Sequence, residues 1–321
     1  MKQTMLGRSG IMVPPLIFGG NVFGWTVDET SSFRLLDALM DVGFNAIDTA
    51  DIYGNWVESN PEGISETIIG KWLKSGGRRD KVVIATKVGM RMRSGGKGLS
   101  RAWIEHSVEA SLRRLQCDYI DLYQAHCDDE ETPLEETLTA FAPLIEQGKV
   151  RAIGASNYSA PRLREALETS RALGLPRYEV LQPHYNLIDR SQFEGELQAL
   201  CREQELGVIS YFALAAGFLT GKYRSPGDLG DSKRGSRIAT YLTPRNLDIL
   251  ATLDAAAASV GATNAETAIA WLIAQPGITA PIASATTIEQ VQELRRAVEL
   301  VLDRDKLKRL DSVGRQDFPA P

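Results

Sequence analysis

Short apolar runs alternate along the chain with longer segments in which apolar residues recur at helical spacing. The runs predict eight strands, at residues 15–20, 45–48, 81–87, 119–126, 150–156, 180–184, 207–211 and 278–283. The intervening segments predict helices at residues 30–42, 65–74, 100–115, 133–148, 160–173, 192–204, 244–260, 264–275, 288–302 and 305–313. Residues 6–13 carry a small turn between apolar residues, which indicates a β-hairpin.

Strand–helix alternation forces the strands to pair in parallel. The pattern therefore predicts an α/β fold, a (β/α)8 TIM barrel with an N-terminal β-hairpin and two extra helices, formed by residues 1–321 as a single domain. Ser65 and Thr132 are expected to cap helices, with Pro133 in the first helical position. A glycine-rich loop over residues 215–237 shows no helix or strand pattern of its own. Loops this long are usually functional.

Composition narrows the class of partner. A formal net charge of −5 argues against nucleic acid or an anionic membrane surface. No apolar run is long enough to span a bilayer, and the first residues lack the apolar core of a signal peptide. The three cysteines, Cys117, Cys127 and Cys201, have no zinc-type spacing. We expect a cytoplasmic protein without a metal site, and the sequence leaves its oligomeric state open.

Four titratable side chains lie at or just beyond the carboxyl ends of predicted strands. Asp48 ends the second strand, Tyr53 follows it, Lys87 ends the third and His126 ends the fourth. Each has an ordinary alternative: a turn cap, a solvated lysine, a buried histidine and a core tyrosine. Strand ends of a parallel barrel converge on one face, where such enzymes have their active sites. The ordinary alternatives would need four coincidences.

Together these groups can deliver a proton to a carbonyl oxygen. A tyrosine hydroxyl is a weak acid at neutral pH, and a nearby ammonium is expected to lower its pKa. Lys87 can supply that charge, Asp48 can hold Lys87 in place, and His126 can orient the substrate oxygen. None of the four donates a hydride, so the chemistry implies a cofactor. A Schiff-base aldolase that uses Lys87 is an alternative interpretation.

The constellation Asp48, Tyr53, Lys87 and His126 resembles the catalytic tetrad of the aldo-keto reductases. The resemblance extends through Gly154-Ala-Ser-Asn157, Leu181-Gln182-Pro-His-Tyr-Asn186 and Leu214-Ala-Ala-Gly-Phe-Leu-Thr-Gly-Lys222. It implies a carbonyl-reducing oxidoreductase with NADPH as its cofactor and NADH as the less favoured one. The implied cofactor residues are Gly20, Ser156, Asn157, Gln182, Tyr211, Leu214, Gly217, Leu219, Gly221, Lys222, Ser284, Thr286, Gln290 and Glu293.

The expected substrate is a small carbonyl compound, an aldehyde, ketone or sugar. Trp25, Trp56 and Cys127 are the candidate pocket residues, because all three follow strand ends. The chain departs from the family pattern at Cys127, where many relatives have tryptophan, and in the longer loop that carries Trp56. The potassium-channel β subunits share this resemblance, so a nicotinamide-binding regulatory subunit is a second alternative. His184 is a further candidate for the barrel mouth.

Overall fold

A computed structural model describes residues 1–230 and 232–314; residue 231 and residues 315–321 of the predicted domain lie outside the described residues. The strands are β1 Thr4–Met5, β2 Met12–Val13, β3 Ile17–Gly19, β4 Ala46–Asp48, β5 Val83–Val88, β6 Ile120–Ala125, β7 Val150–Ser156, β8 Tyr178–Gln182, β9 Gly207–Val208 and β10 Ile282–Ala283. The helices are α1 Glu29–Asp41, α2 Ile64–Gly76, α3 Arg101–Leu115, α4 Leu134–Glu146, α5 Ala160–Leu173, α6 Glu196–Glu203, α7 Gly235–Ala239, α8 Pro244–Val260, α9 Asn264–Ile273, α10 Ile288–Glu299 and α11 Arg304–Gly314.

Eight parallel strands form the barrel in the order β10-β3-β4-β5-β6-β7-β8-β9. Backbone hydrogen bonds close it: the N–H of Ile282 donates to the carbonyl of Ser210 at 2.7 Å, and that of Thr279 to Val208 at 2.9 Å. The predicted hairpin is present, because β1 and β2 pair antiparallel. The predicted (β/α)8 barrel is confirmed.

Two apolar layers stabilise the barrel. One lies between the strands and the surrounding helices. The other fills the barrel interior with inward-facing strand residues, and the hairpin seals it with Leu6, Ile11 and Val13. The interior layer consists otherwise of Ile17, Ala46, Ala85, Leu122, Ala152, Val180, Ile209, Ala280 and Ile282.

Two predicted helix caps are wrong. Ser65 lies inside α2, whose N-cap is Gly63, and its hydroxyl donates to the carbonyl of Gly20 at 2.8 Å. Thr132 precedes the N-cap Pro133 of α4 and donates to Asp129 at 2.7 Å. The Ser65 hydroxyl thus bonds a tertiary partner, whereas the Thr132 hydroxyl bonds a local one in the turn before the helix.

The loop expected to lack secondary structure contains three short helical segments. They are two 3-10 turns, Ala215–Thr220 and Pro226–Asp228, and the single-turn helix α7. Their brevity explains the missing pattern, since hydrophobic periodicity needs several turns to become visible.

Candidate active site

The site is a polar layer directly above the apolar interior of the barrel. Side chains alternate between the two faces of a strand, so the residue two positions after an inward-facing one also points inward. By this rule, each apolar inward-facing residue is followed two positions later by a polar one. The pairs are Ala46 and Asp48, Ala85 and Lys87, Leu122 and Gln124, Val180 and Gln182, and Ile209 and Tyr211. The change from apolar to polar inward residues occurs at the carboxyl ends of the strands, where barrel active sites lie.

Asp48, Lys87 and Tyr53 form one hydrogen-bonded chain. Lys87 Nζ donates to Asp48 Oδ2 at 2.7 Å, to the carbonyl of Thr49 at 2.8 Å and to the hydroxyl of Tyr53 at 3.0 Å. The lysine and the aspartate are buried. All three ammonium donors therefore have an acceptor, and the tyrosine oxygen is joined directly to a buried positive charge.

The protonation states follow from burial and these contacts. Burial raises the pKa of Tyr53 to about 12, and the ammonium of Lys87 opposes that rise without cancelling it. The expectation of a lowered tyrosine pKa is right for the local effect of Lys87 and wrong for the net direction. Burial acts to lower the pKa of Lys87, but attraction to Asp48 and Tyr53 outweighs it and the pKa is raised. At neutral pH the tyrosine keeps its proton and the lysine its charge.

His126 follows β6 and faces the tyrosine edge-on, with ring centroids 6.0 Å apart. Burial and then repulsion from Lys87 lower the pKa of His126 well below its ordinary value, so the imidazole is neutral. Its buried Nδ1 has no hydrogen-bond partner among residues 1–230 and 232–314. An ordinary core histidine would have such a partner, so the position of this imidazole calls for an explanation other than packing.

Two glutamines support the aspartate from the far side. The amide of Gln182 donates to Asp48 Oδ1 at 2.8 Å, and that of Gln124 lies 3.5 Å from the same oxygen. Gly154 makes room for them, because a Cβ there would lie 3.2 Å from Cγ of Gln124. Sequence reasoning did not identify Gln124; its inward position two residues before His126 was the available signal.

The residues expected to hold a nicotinamide carboxamide lie together beside this chain. Ser156 Oγ donates to the carbonyl of Gln182 at 2.9 Å. Asn157 donates to the carbonyl of His126 at 2.9 Å and accepts from the hydroxyl of Tyr211 at 2.7 Å. The tyrosine ring is thereby fixed at its hydroxyl end.

The segment from Leu214 to Lys222 is a tightly turned loop that follows Tyr211. Gly217 and Gly221 have φ of +109° and +78°, the left-handed region that favours glycine. Ala215 and Ala216 adopt the same region with φ of 47° and 58°, although a Cβ is strained there. Such strain clusters at ligand clamps. The loop also contains the expected contacts Leu219 and Lys222. Gly20 lies directly after β3, and its carbonyl accepts from the Ser65 hydroxyl.

The end of β10 leads into the N-terminus of α10. Ser284 donates to the carbonyl of Gly19 at 2.8 Å, and the N–H of Thr286 donates to Gln290 at 2.7 Å. Glu293 accepts from Thr263 at 2.7 Å, which joins α10 to the start of α9. The nearest cations point elsewhere, since Arg295 pairs with Glu299 and Arg296 with Glu266.

Arg234 is a functional candidate that sequence reasoning missed. Its guanidinium lies over the ring of Trp25 at 5.2 Å. The Asn21 carboxamide bridges it to Ser284 when the amide is assigned the orientation that satisfies its neighbours: the oxygen then accepts from Arg234 at 3.2 Å and the nitrogen donates to Ser284 Oγ at 2.8 Å. Burial lowers the pKa of Arg234, and the electrostatic effect of Tyr223 acts in the opposite direction without cancelling it. Among residues 1–230 and 232–314 no carboxylate pairs with Arg234, so a half-buried cation lies beside Trp25 and Asn21.

Two tryptophans border the mouth next to the tyrosine. Trp25 and Trp56 meet edge to face with centroids 5.4 Å apart, and Trp56 lies 6.2 Å from the ring of Tyr53. Trp56 is 49% exposed, and the contact with Trp25 joins its loop to the one that follows β3. Cys127 is half-buried next to His126, and burial together with neighbouring acids raises its pKa, which makes it a weak nucleophile.

In the part of the chain that the structure describes, no cluster of three or more His, Cys, Asp or Glu side chains could hold a metal ion. No helix of that part is both long and apolar enough to cross a membrane.

Known proteins resemble this chain over nearly its whole length. A family model described as "Aldo/keto reductase family" matches residues 15–315. The "Uncharacterized oxidoreductase YrpG" of Bacillus subtilis (strain 168) is 38% identical, over 100% of this chain and 97% of the relative. A "Probable voltage-gated potassium channel subunit beta" of Arabidopsis thaliana is 35% identical over 94% and 92%. The "L-glyceraldehyde 3-phosphate reductase" of Escherichia coli (strain K12) is 31% identical over 97% and 92%.

Proposed function

The chain belongs to the aldo/keto reductase family, and from that premise we propose that it reduces the carbonyl of an aldehyde, ketone or sugar-like substrate, reversibly, with NADPH. The observation that carries the proposal is the hydrogen-bonded chain of Asp48, Lys87 and Tyr53 beside the unpaired nitrogen of His126. Four groups with complementary proton chemistry meet at one point of the barrel mouth.

In this mechanism the hydroxyl of Tyr53 donates its proton to the carbonyl oxygen of the substrate. The ammonium of Lys87, 3.0 Å away, stabilises the tyrosinate that remains, and Asp48 keeps that ammonium in place. The neutral imidazole of His126 orients the carbonyl oxygen toward the hydroxyl. A bound nicotinamide would supply the hydride. Trp25 and Trp56 exclude water from one side of the reacting carbonyl.

The donor set fits a dinucleotide phosphate. Arg234 supplies a positive charge without a carboxylate partner in the described residues, next to Asn21 and Ser284. Glycine at position 217 lets the backbone of the strained loop approach a ligand closely. Ser156, Asn157, Gln182 and Tyr211 would hold the nicotinamide end, and Leu214, Gly217, Leu219, Gly221 and Lys222 the diphosphate. Gly20 would offer a further close backbone approach to the cofactor.

The preference for NADPH rests on the start of α10. Ser284, Thr286 and Gln290 offer neutral donors beside a helix N-terminus, which favours an anion. Glu293 would meet the adenine. These neutral donors favour NADPH over NADH, but no arginine lies in this turn to bind the phosphate. We therefore expect a limited preference, by a factor on the order of ten to a hundred, or about 1.4–2.8 kcal/mol.

The two alternatives fare differently. A Schiff-base aldolase needs a neutral amine, but the raised pKa of Lys87 keeps its amine charged, and its three donors are occupied. A regulatory role remains compatible with the likeness to the channel subunit. Turnover separates them, since a regulatory subunit would bind the cofactor without multiple rounds of carbonyl reduction.

The test is NADPH oxidation against a panel of aldehydes, ketones and sugars, with Tyr53→Phe as the decisive variant. We expect that variant to lose roughly 10²–10⁴-fold in kcat, the usual scale of acid–base catalysis. NADPH binding should change little, because the hydroxyl serves the substrate. A phenylalanine variant with nearly full activity would remove Tyr53 from the mechanism.

A further inference from the structure

His184 forms a second layer behind the tyrosine assigned above to the nicotinamide. Its imidazole stacks on the ring of Tyr211, with centroids 5.1 Å apart and an interplanar angle of 16°. A parallel backbone bridge between the two residues holds this register, and the N–H of Tyr211 donates to the carbonyl of Pro183 at 3.0 Å. Backbone pairing between neighbouring strands of the barrel therefore holds the two rings next to each other.

An acid is fixed at the other side of the imidazole. Nε2 of His184 lies 3.0 Å from Oδ2 of Asp189. This is an ion-pair distance for a protonated imidazole, although the geometry makes no hydrogen bond between the two groups in the described residues. The same oxygen accepts from the hydroxyl of Tyr241 at 2.7 Å and from the amide of Asn186 at 2.9 Å. Asn186 in turn accepts the N–H of Asp189 at 2.9 Å, which fixes the loop. Burial acts to raise the pKa of Asp189, but these donors outweigh it and the pKa is lowered, so the carboxylate stays charged.

The pair has access to solvent and other charges around it. His184 and Asp189 line a cleft of about 750 Å³, to which Tyr211 does not contribute. The ring of Phe212 stands edge-on to the imidazole, with centroids 5.3 Å apart. The guanidinium of Arg237 lies over the Phe212 ring, 4.6 Å from its centroid. The titratable and charged groups that face the pair are Asp189, Arg190, Tyr211, Arg237, Tyr241 and Arg245, and Lys87 acts on Tyr211 from the catalytic side.

We propose that His184, backed by Asp189, is a positioning residue whose protonation sets the relative affinity for the oxidised and the reduced cofactor. The inference rests on the proposed function, which places the nicotinamide on Tyr211. The oxidised nicotinamide ring is cationic and the reduced ring is neutral. With neutral His184, the charge behind the stack is one unit more negative than with protonated His184, because the imidazole does not offset the Asp189 carboxylate, and the cationic oxidised form is favoured. Protonation of His184 removes that relative advantage.

The size of the effect is modest. His184 is shielded by Tyr211, and the guanidinium of Arg237 contributes a constant opposing field. We therefore expect a coupling of about fivefold, at the low end for two linked sites. The ratio Kd(NADP⁺)/Kd(NADPH) should be about five times larger in the protonated state of His184 than in its neutral state, with both states defined by the NMR titration described below. The ratio cancels every group that acts equally on both forms, including the cofactor phosphates.

The experiment measures both dissociation constants by tryptophan fluorescence in wild type, His184→Gln and His106→Gln. His106 is the matched control, because it stacks on Trp103 at 5.2 Å and 24° on the remote helix α3. The ratio should lose its pH dependence in His184→Gln and keep it in His106→Gln. A His184→Gln protein with the wild-type pH dependence would overturn the proposal while leaving the reductase assignment intact. Failure of the wild-type protein to bind either cofactor would overturn both this proposal and the reductase assignment.

A second measurement does not depend on the folding of the His184 variant. The imidazole signal of His184 in the wild-type protein, assigned by elimination with His106→Gln and His126→Gln, is followed by NMR across pH. Linkage is reciprocal, so saturation with NADP⁺ must move its titration midpoint below the midpoint found with NADPH. Identical midpoints would refute the inference.

Discussion

The buried pair of Asp48 and Lys87 should behave as a unit in stability as well as in catalysis. Lys87→Met would leave the Asp48 carboxylate with the two glutamine amides, at 2.8 and 3.5 Å, and no cation. Asp48→Asn would leave a buried ammonium with a carbonyl and a phenol. Removing one partner of a buried ion pair costs about 3–5 kcal/mol, because the other charge stays uncompensated.

The double variant removes both charges at once. Its loss should be no greater than that of either single variant, which gives a coupling of about 3 kcal/mol or more in a double-mutant cycle. The assay is equilibrium urea unfolding at pH 7, with unchanged slopes required for the comparison. The control is the exposed pair Lys149–Glu109, 2.6 Å apart, with side chains 33% and 45% exposed. Its Lys149→Met/Glu109→Gln cycle should give less than about 1 kcal/mol.

Additive losses in the Asp48–Lys87 cycle would refute this reasoning. They would mean that the two charges are compensated independently, and that the lysine is not held by the aspartate. The mechanism would then need another explanation for the position of the ammonium next to Tyr53.

Three further predictions concern pH, specificity and cofactor choice. Burial, with Glu66 nearby, raises the pKa of Asp51, whose oxygens lack partners in the described residues. The folded state thus keeps a proton that the unfolded chain loses, and unfolding free energy should fall by about 1.4 kcal/mol per pH unit above pH ~3.9 until the folded pKa is reached. Asp51→Asn should abolish this fall in urea titrations at several pH values; parallel curves would contradict it. Trp56→Ala should change relative kcat/KM among substrates, whereas an equal loss for all would indicate a packing role. Thr286→Ala should weaken NADPH alone in fluorescence titrations, and equal weakening of NADH would exclude a phosphate contact.

Local sequence signals predicted the bounds of a helix or strand correctly where its start and stop residues agreed with the hydrophobic periodicity. Residues 150–156, 160–173 and 244–260 have the predicted bounds, because their start and stop signals lie within a few residues of the chain. Ser65 and Thr132 carried the same local signal and were misassigned. The Ser65 hydroxyl donates to a distant backbone carbonyl and the Thr132 hydroxyl to Asp129 in the turn before the helix, and neither residue occupies the N-cap position.

The sequence also placed the catalytic candidates, because the two-residue period of a strand fixes which side chains face the barrel interior. It did not determine their electrostatics. The net pKa of Tyr53 rises because burial outweighs the nearby ammonium, and burial is a property of the assembled barrel. Arg234 could not be identified from the sequence either, because its place near the site also depends on the assembled barrel. The loop that carries it meets the first strand's loop through Lys233 and Trp25, 208 residues apart in the chain, and no local pattern reports a contact at that separation.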